Sequence, residues 1–273
     1  MPLTNDGTLS ICFVGVGSAF SRRNYQSNFL IVKGDTHLLV DCGTQASRGL
    51  ADLGLSVLDI DNVLITHSHA DHIGGLEELM LMNRYVKQRK PRILINRSYQ
   101  KILWSQSLRG GCEMNEIHSG RGLGFEDYWE IQRPEKEHSR GRETEVYNLG
   151  ELTIRTFRTR HYPQQAKRWN EAMYSVGVVI DDRVIVSGDT QFDRDLLTEY
   201  ADQYPIERIF QDAQFFTGGI HASLEELESL PESIRAMMHL YHYGDNFEEK
   251  RQAVAQGGFK GFAELHKVYR FPL

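Results

Sequence analysis

The chain has 273 residues, of which 40% are apolar and 10% aromatic, enough for a sizeable core, and this excludes a disordered or fibrous chain. Lys plus Arg number 31 against 37 Asp plus Glu, a formal charge of −6. That balance disfavours a general nucleic-acid coat, because phosphate-tracking proteins carry a basic excess on one face. Cys12, Cys42 and Cys112 have no CxxC spacing, which argues against a disulfide scaffold or a cysteine zinc knuckle and suits a reducing cytoplasm. No apolar run approaches the ~18 residues of a membrane span, and the first residues lack the pattern of a secretion signal.

In chain order, β-branched and aromatic runs bounded by turn residues predict strands at Ser10–Gly15, Asn28–Lys33 and His37–Asp41. A helix is expected over Gln45–Leu53, a strand over Asn62–Thr66, and a helix over Gly74–Gln88, where Leu76, Leu79, Met80, Met82 and Val86 recur at helical spacing. A strand at Arg92–Asn96 and a helix at Tyr99–Ser107 follow. From about 107 to 148 no period is sustained, and this stretch is read as an irregular insertion. Its Phe125, Tyr128 and Trp129 suit stacking on a base, packing against a second subunit, or simple anchoring of a surface excursion.

Strand signals return at Glu151–Arg158, Tyr174–Asp181 and Arg183–Ser187, the last two joined by a tight Asp-Asp turn. A helix near Asp193 and a strand at Glu207–Gln211 precede a helix at Leu224–Leu230, a strand at Arg235–Tyr241, a helix at Phe247–Gln256 and a strand at Lys267–Phe271. Early hairpins followed by alternating strands and helices predict an α/β chain, an αββα sandwich of two mixed sheets flanked by helices. One domain over residues 1–273 is expected, since no linker or repeat divides it.

Eleven histidines are present, and their placement carries the chemistry. Thr66-His67-Ser68-His69-Ala70-Asp71-His72 falls where a strand ends and a helix begins. His67 and His69, two apart, face one way in an extended segment, while Asp71 and His72 turn toward a second direction. Such a string can serve two adjacent metal ions. Asp41, at a strand end, suits either a turn cap or support for a ligand histidine.

THSHADH followed by Gly74-Gly75 resembles the signature of the metallo-β-lactamase fold. Val14-Gly15-Val16-Gly17-Ser18-Ala19 and Leu39-Val40-Asp41-Cys42-Gly43-Thr44-Gln45 are similar to segments of its RNase Z-like phosphodiesterase branch. The resemblance implies further ligands at His161 in Arg-His-Tyr-Pro, Asp189 in Ser-Gly-Asp-Thr and His242 in Tyr-His-Tyr. His239 competes with His242 for the last place. One metal would then sit on His67, His69 and His161, the other on Asp71, His72 and His242, with Asp189 shared. Imidazole and carboxylate donors without thiolate suit two Zn²⁺ ions, and also Mn²⁺.

Gln211-Asp212-Ala213-Gln214-Phe215 and His221-Ala222-Ser223 resemble two further segments of that branch, where an acidic residue orients a histidine that protonates the leaving oxygen. The catalytic set so implied is His221, Asp212 and Asp71, the last also a ligand. Asp212 stands where the branch usually has Glu, which shortens its reach.

Asp189 and Asp212 are only 23 residues apart, too close for the long tRNA-gripping arm of RNase Z enzymes. The chain therefore looks most like the anti-Pycsar phosphodiesterases. That resemblance implies a homodimer hydrolysing 3′,5′-cyclic mononucleotides of the cCMP, cUMP, cAMP and cGMP type to monophosphates. An RNase Z-like endoribonuclease, or another hydrolase of a small phosphodiester, is the alternative.

Overall fold

Along β1 (Leu9–Gly15), β2 (Asn28–Lys33) and β3 (Thr36–Val40), side chains alternate between two apolar layers, as a pleated strand requires. Ile11, Phe13, Phe29, Ile31, Leu38 and Val40 enter a core shared with a second sheet, while Val14, Leu30 and Leu39 face a layer of helices. The computed structural model describes residues 1–138 and 142–272.

The other strands are β4 (Asn62–Leu64), β5 (Arg92–Leu94), β6 (Ile117–His118), β7 (Arg121–Gly122), β8 (Glu130–Gln132), β9 (Glu135–His138) and β10 (Glu143–Leu149). They continue with β11 (Leu152–Arg158), β12 (Val176–Ile180), β13 (Val184–Val186), β14 (Arg208–Asp212), β15 (Met238–Tyr241), β16 (Gly261–Phe262) and β17 (Val268–Phe271). The first sheet runs β17-β1-β2-β3-β4-β5-β8, the second β16-β15-β14-β13-β12-β11-β10-β9, and β6 and β7 form a separate hairpin. Each large sheet is antiparallel at one side and parallel at the other, the parallel runs being β3-β4-β5-β8 and β13-β14-β15-β16. Helices Arg194–Gln203 and Leu224–Glu228 pack Leu196, Leu197, Tyr200 and Leu227 into the core of the second sheet. The αββα sandwich expected from the sequence is the observed architecture.

The Asp181-Asp182 turn joins β12 to β13 with φ of 50° and 59°, the left-handed pair that a tight hairpin needs. A separate short helix, α1 (Ala70–Ile73), precedes the helix expected at Gly74–Gln88, which is observed as α2 (Leu76–Leu81) continuing through wider turns over Met82–Lys87. Gln88, at φ 54°, ends it. The strand expected from Arg235 begins only at Met238, because Glu232–Arg235 forms a short helix.

The stretch 107–148 departs most from expectation; its residues 139–141 lie outside the described ones. Rather than an irregular insertion, it supplies the hairpin, the edge strands β8 and β9 of the two sheets, and most of β10 beside β9. Phe125, Tyr128 and Trp129 are 2%, 1% and 2% exposed in the core of the first sheet, with Leu108, Cys112 and Leu123. The Tyr128 hydroxyl donates to the Cys112 carbonyl at 2.7 Å. These rings therefore face neither a base nor a second subunit; short strands separated by glycine-rich turns hide their period. No helix among the described residues is long and apolar enough to cross a membrane.

Candidate metal centre

The parallel strands β13, β14 and β15 end at the same side of the sandwich, so Asp189, Asp212 and His242, at or just past their ends, converge. β11 runs in the same direction, two antiparallel steps away, and delivers His161 there. From the first sheet, β3 brings Asp41 and β4 brings the run from Thr66 to His72.

Three donors face one point. His67 Nε2 lies 2.9 Å from His69 Nδ1, and His161 Nε2 lies 3.1 Å from the same atom. Asp189 Oδ2 is 3.7 Å from both His67 Nε2 and His161 Nε2. Tetrahedral nitrogen ligands at zinc would stand about 3.3 Å apart, so this spacing fits a cation of that size. His161 turns Nδ1 toward the Ile220 carbonyl at 3.1 Å, which leaves Nε2 with its lone pair. The Gln191 amide donates to the His161 carbonyl at 2.7 Å and holds that loop. Burial lowers the proton affinity of His67 and His69 and takes His161 down to about 4, so all three are neutral donors at neutral pH.

A second group lies beside it. His72 Nε2 is 3.3 Å from Asp71 Oδ2 and 3.3 Å from Asp189 Oδ2, and His242 Nε2 is 3.4 Å and 3.5 Å from the same two atoms. Asp41, at φ 64°, turns its carboxylate back on this loop, accepting from the Thr66 N–H and hydroxyl at 2.7 Å each and meeting His72 Nδ1 at 2.6 Å. It thus braces His72 from behind, one of the two arrangements expected of it. Burial opposes charge on His72 and His242, but the surrounding carboxylates outweigh it and raise both, His242 to about 10. Burial likewise opposes ionisation of Asp71 and Asp189, yet the histidines hold both carboxylates below their usual range.

Three combinations of these side chains could hold an ion: His67, His69, His161 and Asp189; Asp71, His72, Asp189 and His242; and Asp189, Asp212, His221 and His242, each with its donor atoms within 4.8 Å of one another. The donor set fits divalent metal on a direct observation. His72 Nε2 and Asp189 Oδ1 are buried without a hydrogen-bond partner, a costly state that a cation would relieve.

His221 stands at the edge of the cluster, its side chain 17% exposed. Its Nδ1 meets Asp212 Oδ2 at 2.7 Å, so the short aspartate reaches after all. Asp212 Oδ2 also accepts from the Thr190 N–H at 3.0 Å, and Oδ1 lies 3.4 Å from His242 Nδ1. Burial works against the Asp212 charge, and His221 and His242 more than compensate. His239 is not in the cluster: it lies within β15, its ring 5.5 Å from that of Phe210. Thr66, Thr190 and Gln191, which donate to Asp41, Asp212 and the His161 carbonyl, are not singled out by the sequence. Their signal was adjacency to the histidine string and to Asp189.

A family model described as anti-Pycsar protein Apyc1 matches residues 9–269. The chain belongs to the anti-Pycsar Apyc1 family. An Apyc1 protein of Bacillus phage BSP38 is 38% identical over 247 residues, covering 89% of this chain and 91% of that one. One from Paenibacillus sp. (strain J14) is 34% identical over 264 residues, covering 96% and 98%. Among solved structures, the metallo-β-lactamase fold protein YhfI from Bacillus subtilis superposes with a TM-score of 0.68 at 14% identity, over 97% of this chain and all of that one. The fold of this family member is therefore the metallo-β-lactamase fold.

Proposed function

We propose that the chain is a metal-dependent phosphodiesterase that hydrolyses 3′,5′-cyclic mononucleotides to nucleoside monophosphates. The observation that carries this reading is the Asp212–His221 pair, 2.7 Å apart at the edge of two donor groups that share Asp189. A leaving ribose alkoxide must gain a proton as it departs, and a carboxylate-held histidine beside the donor groups is placed to supply it. The family name of the relatives, which points to antiphage signalling, supports the same reading.

In this reading His67, His69 and His161 would hold one divalent ion, Asp71, His72 and His242 a second, and Asp189 is placed beside both groups. When bound, a pair of divalent ions supplies Lewis acidity that activates a water and offsets charge on the phosphate oxygens. Asp41 keeps the proton of His72 on Nδ1 and leaves Nε2 facing the centre. Asp71 is the carboxylate that orients the attacking water. Asp212 accepts Nδ1–H of His221 and turns Nε2–H toward the departing oxygen. One P–O ester bond breaks, the water oxygen takes its place on phosphorus and gives up a proton to solvent, the proton from His221 ends on the ribose hydroxyl, and His221 is reprotonated from solvent. The reading includes assembly as a homodimer, which sedimentation velocity checks.

The deciding experiment assays cyclic mononucleotides, cyclic dinucleotides and precursor tRNA with zinc or manganese, before and after chelation. Metal-dependent cleavage of the cyclic mononucleotides is expected. Cleavage of the tRNA alone, or turnover that survives removal of metal, would overturn the reading.

A further inference from the structure

Beside His221 and His242 opens a cavity of about 530 Å³, walled by Phe20, Phe215, Phe216 and Ile220 and edged by Asn246. Its size lies within the ~300–1,000 Å³ usual for small-molecule sites. Phe20 is 93% exposed and Phe216 67%, the two most exposed phenylalanines among the described residues. Single exposed apolar side chains are ordinary. Here, however, both backbones are held from behind.

The loop bearing Phe20 is tied to the segment that follows His242. The Asp245 carboxylate accepts from the Ser21 hydroxyl at 2.7 Å and from the Arg22 and Arg23 N–H groups at 3.0 and 3.3 Å, and the Ser18 N–H donates to the Tyr243 carbonyl at 3.0 Å. The loop bearing Phe216 is tied to the end of β14. The buried Gln214 amide donates to the Phe216 carbonyl at 2.9 Å and to that of Gly218, and Gly219, at φ 113°, supplies a turn that an L side chain would strain. The Thr217 hydroxyl adds a bond of 2.7 Å to Glu225.

We infer that Phe20 and Phe216 are the walls of a subsite that takes the nucleobase of the substrate. The inference rests on the phosphodiesterase reading of the adjacent centre. A phosphate at the donor cluster, with its leaving oxygen at His221, places the ribose at the cavity mouth and the base inside. With both backbones held, only the two side-chain torsions of each phenylalanine remain to be ordered when a base stacks on it, a small cost for a large flat contact. Every base offers a π-face, so stacking tolerates different bases. The exposed Asn246 amide at the rim offers both a donor and an acceptor to a base edge.

The test is calorimetric, with the full metal-loaded chain and two ligands, cytidine 5′-monophosphate and ribose 5-phosphate. The wild type is expected to bind the nucleotide about 10-fold or more tightly than the sugar phosphate, and Phe20→Ala or Phe216→Ala to erase that preference. Phe20→Trp and Phe216→Tyr are expected to keep it. In turnover, the alanine variants should raise KM for a cyclic nucleotide about 10-fold and lower kcat far less. Equal binding of the two ligands by the wild type, or a preference untouched in both alanine variants, would overturn the subsite. So would a Phe20→Ala protein that changes only its oligomeric state, which would make the ring a contact between copies. A wild type that prefers the nucleotide yet cleaves no phosphodiester with any metal would support the subsite and sink the reaction instead.

Discussion

His239 within β15 and His242 just past its end stand three residues apart, are 7% and 3% exposed, and have opposite protonation chemistry. His239 packs among the rings of Phe210 and Tyr269, with the Arg208 guanidinium 3.3 Å from its Nδ1. Burial, helped by Arg208, Lys260 and Lys267, pushes it down to about 3. His242 is buried just as deeply, but Asp189, Asp212 and Asp71 surround it and hold it up at about 10. Burial alone therefore says little about a histidine's role; the charge that shares its pocket decides. One histidine is part of a hydrophobic layer, the other of a cation-seeking cluster.

The sharpest way to break this contrast is to remove each ring. His242→Ala should lower cyclic-nucleotide hydrolysis on the order of 10⁴-fold, while circular dichroism reports an intact fold. A comparable loss in His239→Gln would show that the two sites are not separate. Next in size is His221→Ala, expected to cost about 10²–10⁴-fold with a ribose alkoxide as leaving group and much less with nitrophenolate, which needs no proton. Equal losses on the two substrates would remove the general-acid role.

Asp41→Asn tests whether the carboxylate behind His72 matters. Metal affinity by competitive chelation should fall about 10–100-fold, as for other carboxylates that orient ligand histidines. The smallest effect concerns acid stability. Because folding lowers the His239 pKa from its usual 6.5 to about 3, the unfolded chain binds the extra proton as pH falls below 6.5. His239 thus contributes a stability loss that begins near pH 6.5 and is complete near pH 3. His239→Gln should reduce the difference in urea-unfolding free energy between pH 7 and pH 4.5 by about 2–3 kcal/mol. An unchanged difference would mean that His239 is protonated in the folded state.

Much of the centre was legible in advance because its ligands come in strings. His67, His69, Asp71 and His72 are adjacent in sequence, and a strand end followed by a helix leaves few ways to arrange them. Asp189 and His242 were legible only through the resemblance of Ser-Gly-Asp-Thr and Tyr-His-Tyr to segments of the RNase Z-like branch. The segment 107–148 was misread for the opposite reason. Its strands are two to seven residues long, its contacts lie across sheet edges, and its aromatic rings show burial only once their neighbours are in place. Phe20 carried no signal at all, since a phenylalanine in a glycine-serine loop looks the same whether it packs inward or stands free.

From its sequence alone the chain was bound to an αββα sandwich with a cluster of imidazole and carboxylate donors at strand ends. Period-two alternation and ligand spacing are local properties, written within a few residues of one another. Tertiary structure alone decided that one carboxylate, Asp212, reaches both His221 and His242, and that Phe20 and Phe216 face one cavity beside them. Those relations join residues up to 226 positions apart, from Phe20 to Asn246, and they exist only where parallel strands of one sheet and loops of the other end on the same side.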